Sequence, residues 1–193
     1  AIFIIRIKNY KRILAYSSIE NMGIATLGIA AGGMGIFAAL LHLFSHSLIK
    51  ATFFLTSGNI LNRYKTKKID DVRGIIKNDK ITGWLWVFCA IGIIGIPPFP
   101  TFISEFLLIK TMFENGNFYF AIIFFILLTI IMFGMGNSIL RMAFGKEKNE
   151  LSTEKSGFFS YAPQISLLIL VLIMGIYLPP IIHDLLRYAV LSY

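Results

Sequence analysis

The sequence predicts an all-α fold: a polytopic membrane helix bundle of about five spans, one of them broken in the middle. Three observations carry that prediction. Hydrophobic residues make up 56% of the 193 and charged residues only 15%, against about 45–50% and 25% in ordinary soluble domains. The apolar residues run in blocks long enough to cross a hydrocarbon core of about 30 Å, which takes about 20 helical residues. The basic residues, which give a formal net charge of +8, gather in short segments between those blocks. Helices are the expected element because an unpaired backbone polar group is too costly in lipid.

In chain order, the first span is expected at about 13–31 and the second at about 34–61. A long apolar stretch follows from 81 to 113, interrupted at 95–100 by "GIPPFP", then spans at about 118–144 and 164–190. Arg6, Lys8, Lys11 and Arg12 precede the first span. Seven basic residues against three aspartates fill "NRYKTKKIDDVRGIIKNDK" at 62–80, and Arg141, Lys146, Lys148 and Lys155 surround the last connector. The connectors "AGG" (31–33) and "ENGN" (114–117) carry no Lys or Arg. The positive-inside rule therefore places 1–12, 62–80 and 145–163 on the cytoplasmic side of an inner membrane.

That parity requires 81–113 to cross once. A straight helix of that length would reach about 50 Å, so the chain is expected to unwind around Pro97, Pro98 and Pro100, which lack backbone donors and clash with the preceding turn. Such a break survives in lipid only where protein or a water-filled cavity satisfies the freed carbonyls. In transporters it marks ion sites.

The second span raises a chemical question. "LLHLFSHSLIKATFFL" (40–55) carries His42, His46 and Lys50 at steps of four, so the three side chains share a helix face, with about 6 Å of rise per step. A charge at bilayer depth costs about 2.5–3.5 kcal/mol even on a lenient scale. Imidazole titrates near neutrality, so such a ladder can hand protons along. Glu105, just after the break, is the carboxylate expected to exchange with it. Glu20 and Lys110 are secondary candidates: Glu20 is shallower and Lys110 is near enough to a helix end to snorkel. Bland readings stand beside these. The histidines can be packed with satisfied ring nitrogens, and the hydroxyls of Ser45, Ser47, Thr52, Thr56 and Ser57 can serve helix packing.

No metal site is expected, because two histidines four apart lack a third ligand and Lys50 repels a cation. No cofactor or nucleotide motif is present, and no nucleic-acid partner is expected. Cys89, the single cysteine, precludes a disulfide within the chain.

Four ordered motifs carry a resemblance: "KRILAYSSIENMGI", "HLFSHSLIKATFFLTSGNI", "DVRGI" and "GIPPFPTFISEFLL". Together they resemble the antiporter-like membrane subunits of respiratory complex I, Mrp sodium/proton antiporters and group 4 hydrogenases. "YSSIENMG", the Glu in "SEF" and the ending "YLPPIIHDLL" are most similar to the large F-type subunit of the hydrogenase-4 and formate hydrogenlyase group. The resemblance implies that 1–193 is the C-terminal part of one antiporter-like transmembrane domain, holding its second inverted repeat. The start "AIFIIRIKNYKR", without Met, agrees with a missing N-terminal part. It further implies that His42, His46, Lys50 and Glu105 lie on a hydrated axis that conducts protons.

The implied partners are other membrane and redox subunits, with lipid around them and protons (or sodium) as cargo. The chain is then a subunit of an oxidoreductase complex, with no catalytic site of its own. Three alternatives remain open on sequence alone: a structural anchor without transport, a sodium/proton antiporter or NADH:quinone oxidoreductase subunit, and an intramembrane enzyme using His42 and His46 with Glu105, which would need a bound metal.

Overall fold

A computed structural model describes residues 6–146 and 158–191. Helix α1 spans Tyr10–Ala31, α2 Met34–Tyr64, the single turn α3 Ile75–Asn78, α4 Lys80–Ile93, α5 Pro100–Glu114 and α6 Phe118–Phe144. A 3₁₀ turn at Phe158–Ser160 leads into α7, Ala162–Ile176, and α8, Pro180–Leu191. Among the described residues there is no strand, only one isolated bridge between Asn9 and Lys68. The chain is an all-helical membrane bundle. Helices α2 and α6 are each long and apolar enough to cross a bilayer alone.

Local chemistry explains the boundaries. Helix α1 starts three residues earlier than its apolar run because the Asn9 side chain accepts from the amides of Lys11 and Arg12, satisfying donors that have no partner inside the helix. Helix α2 carries on to Tyr64 and closes with Lys65 at a φ of 53°. Helices α1 and α2 then pack closely through glycine: a Cβ on Gly28 would lie 2.7 Å from the Gly35 carbonyl oxygen, and one on Gly35 2.6 Å from that of Gly28. Small residues allow such approach where lipid supplies no hydrophobic drive between helices.

The basic segments meet at one end. Ile69 N–H donates to the Lys8 carbonyl at 2.9 Å and Tyr10 N–H to Lys67 at 3.2 Å. Arg141 reaches Asp70 at 3.4 Å, and the Tyr161 hydroxyl donates to Asp79 at 2.8 Å. At the opposite end of α1, the Asn115 amide donates to the Ala31 carbonyl at 2.8 Å. The segment 80–114 thus runs from the basic end to the end where 31–33 and 114–117 lie. Residues 147–157, most of the expected basic connector 145–163, lie outside the described residues.

Two differences from the sequence reading stand out. Pro100 opens α5 instead of interrupting a helix, so the unwound segment is 94–99; proline suits the first helical turn, where its missing N–H would be unpaired anyway. The expected continuous helix at 164–190 is bent by 71° between α7 and α8. Pro179 and Pro180 explain the bend, since neither can donate to the turn before it. Beyond the bend, α8 folds back so that Ile182, Leu186 and Val190 pack with Phe37, Leu41 and Met174.

Candidate functional site

The site lies where α1, α2 and the broken pair α4/α5 meet. His42, His46, Lys50 and Glu105 are 0%, 5%, 7% and 6% exposed, so all four are buried within the bundle. The apolar packing around α2 holds them there: Ile49 and Phe53 are fully buried in the main core with Trp86 and Phe99.

The break is built to be self-sufficient. Thr101 Oγ1 donates to the Gly92 carbonyl at 2.6 Å, Ile96 N–H to Ile91 at 3.1 Å and Phe99 N–H to Ile96 at 3.2 Å. The carbonyls of Ile91 and Gly92 at the end of α4, and that of Ile96 within the unwound segment, therefore have donors from the break itself, as an apolar setting demands. From α7, Gly175 lies against the break so closely that a Cβ there would strike the Pro98 carbonyl. Gly95, at φ 76°, takes a conformation that side chains disfavour. The place where its Cβ would stand is filled by the Glu105 carboxyl, whose Cδ and Oε1 are 2.7 Å from that position.

His42 is gripped from two sides. Its Nε2 is 2.9 Å from Asn21 Oδ1 on α1, and its Nδ1 is 2.8 Å from Ser104 Oγ on α5. The His46 ring stacks near it, with centroids 6.3 Å apart and planes 13° apart, and His46 Nδ1 is buried with no hydrogen-bond partner among the described residues. Lys50 turns toward α1: its ammonium donates to the Leu14 carbonyl and, at 2.6 Å, to Ser17 Oγ, with the Phe54 ring centroid 5.6 Å away. Asn21 Nδ2 in turn donates to the Ser17 carbonyl at 2.6 Å. The hydrogen bonds of Lys50 and of His42 thus converge on Ser17 and Asn21 of α1, and His46 lies between the two along α2.

The sequence reading did not single out Asn21, Ser17 or Ser104. Ser17 and Asn21 lie four apart, buried and polar on an apolar helix, which is the same signal that exposed His42 and His46. Glu20 is half-buried beside them, within electrostatic reach of Lys50 and Glu105. It lines a groove of about 630 Å³ between α1 and α6, with Tyr16, Leu27 and Phe124. Lys110 is exposed and pairs with Glu114 at 3.6 Å. The hydroxyls of Ser45, Ser47, Thr52, Thr56 and Ser57 all donate to carbonyls of their own helix. Among the described residues no group of three potential metal ligands occurs.

Residues 1–132 match the family model described as NADH:quinone oxidoreductase/Mrp antiporter, transmembrane. The chain belongs to that family. It is 36% identical over 177 residues to the hydrogenase-4 component F homolog of Methylacidiphilum infernorum (isolate V4), covering 90% of this chain and 36% of the relative. To NAD(P)H-quinone oxidoreductase chain 4 of Prochlorococcus marinus (strain MIT 9312) it is 33% identical over 159 residues, covering 77% of this chain and 29% of that one. In fold it is similar to a chain of respiratory complex I from Thermus thermophilus, with a TM-score of 0.84 at 20% identity, covering 97% of this chain and 40% of that chain. The chain thus spans about a third of the length of these relatives. The family match, the fold and the buried polar groups agree on an antiporter-like membrane subunit.

Proposed function

We propose that this chain is part of a proton-translocating membrane subunit of a redox-driven complex of the membrane-bound hydrogenase kind. The observation that carries the reading is the burial of two imidazoles, an ammonium and a carboxyl in one membrane bundle, where ionisable groups are costly. Lys50 holds a proton, His46 and His42 relay it, and Glu105, poised at the Gly95 turn, exchanges it toward the end where 31–33 and 114–117 lie. A charge change in a neighbouring subunit then alternates the proton affinities of Lys50 and Glu105. The energy scale suits this task, because moving one charge through 100 mV is worth about 2.3 kcal/mol.

Similarity to a hydrogenase-4 component supports the hydrogenase setting over a quinone-linked one. The domain reading is part of the proposal: five crossings, with α4 and α5 forming one and α7 and α8 another. So is an inner-membrane location with 62–80 and 145–163 cytoplasmic, supported by the meeting of basic segments at one end. Sodium as cargo, held by carbonyls at Pro97–Pro100 with Glu105, is the weaker reading, since the buried ammonium of Lys50 in the same axis opposes a resident cation.

The test is Lys50→Met in the full-length subunit within its complex. Redox-driven proton uptake into sealed vesicles should fall about tenfold or more, with the complex assembled as in wild type. Unchanged pumping would remove Lys50 from the pathway.

A further inference from the structure

The hydrogen bonds around His42 cannot be the same in its two charge states. The Asn21 amide is oriented by its own bond to the Ser17 carbonyl, so the atom it shows to His42 is Oδ1, an acceptor only. His42 Nε2 therefore carries a hydrogen. On the other side of the ring, Ser104 Oγ lies 2.8 Å from Nδ1 and also 2.7 Å from the Thr101 carbonyl oxygen. A hydroxyl has a single hydrogen to place between those two acceptors. With a neutral ring, that hydrogen must point at Nδ1, and the Thr101 carbonyl goes without it. With an imidazolium, Nδ1–H donates to Oγ and the hydroxyl hydrogen is free for Thr101.

We propose that Ser104 is a positioning residue whose hydroxyl transmits the charge state of His42 to the helix break. The proposal rests on protons passing along the His42–Lys50 axis. Protonation forms one N–H bond at Nδ1 with the proton the axis delivers, and the N–H bond of the Lys50 ammonium that releases it breaks. The Ser104 O–H bond stays intact and only turns. Its new acceptor, Thr101, is the residue whose own side chain ties the second half of the broken helix to Gly92 in the first half. Glu105, the next residue after Ser104, rests on the Gly95 turn of the same break. Charging His42 thus tightens the first turn of α5 under the carboxyl with which the proton is to be exchanged. The other charged groups around His42 are His46 and Lys50 on its own helix, Glu20 on α1 and Glu105 on α5.

The experiment measures pumping per electron against pH in sealed vesicles carrying the intact complex. Ser104→Ala removes the acceptor of the imidazolium proton, and charge-assisted hydrogen bonds are the stronger kind. The pumping profile should therefore move to lower pH by about half a unit or more, while Ser104→Thr, which keeps the hydroxyl, retains the wild-type profile. Asn21→Ala, which frees the Nε2 side, should shift the profile in the same direction and serves if Ser104→Ala does not assemble. A wild-type profile in the alanine variants, or a Thr profile displaced as far as the Ala one, overturns the proposal. If Lys50→Met still abolishes pumping in that case, the axis stands and only the Ser104 link falls.

Discussion

The chain breaks its helices with proline twice, and the two breaks differ in everything except that. At 94–99 the unwound backbone is enclosed: the Ile96 carbonyl accepts from Phe99 N–H, Gly175 of α7 covers Pro98, and the Glu105 carboxyl sits where a side chain at Gly95 would be. At 177–179 the amides of Ile182 and His183 both close onto the Pro179 carbonyl at 3.0 Å. The titratable groups there, His183 and Asp184, are exposed and pair with each other at 3.2 Å. Proline supplies the bend in both places. Burial of an ionisable group against unwound backbone is what distinguishes a candidate proton site from a corner that lays an amphipathic helix on the bundle.

That contrast can be broken by substitution. Gly95→Leu should have the largest effect, because the new side chain meets the Glu105 carboxyl and also forces an L-residue to a φ of 76°. Strain of this kind costs about 1–3 kcal/mol before any clash is counted, so the yield of assembled complex, read on a native gel, should fall several-fold. Pro180→Ala at the exposed break should have the smallest effect. Proline at the first helical position contributes mainly preorganisation, and surface changes usually stay within about 0.5 kcal/mol. Assembly and pumping measured side by side should match wild type. Equal damage from both substitutions would mean that the two breaks do the same job.

Much of this was legible in the sequence, for identifiable reasons. The connectors rich in Lys and Arg separate cleanly from those with neither, which is what the expected direction of 80–114 rests on. The step of four in His42, His46 and Lys50 placed them on one face of a single helix, which local geometry guarantees. Their partners were not legible. Asn21 and Ser104 lie 21 and 62 residues from His42, and only tertiary packing brings them to its ring. Lys50 turned to Leu14 and Ser17 for the same reason: a helix face fixes neighbours along the chain, not the helix opposite. The bend at 177–179 was written in "LPP", but the uninterrupted apolar length of 164–190 matched a full crossing and concealed it.

Glu105 must gain and lose a proton if the buried axis conducts, and Glu105→Gln tests that role most directly. Glutamine keeps the shape beside Gly95 and removes the acid. Protons translocated per electron, measured in sealed vesicles from cells carrying the full-length variant, should drop about tenfold or more while assembled complex and electron flow persist. A wild-type ratio of protons to electrons in that variant would contradict a proton-exchanging Glu105.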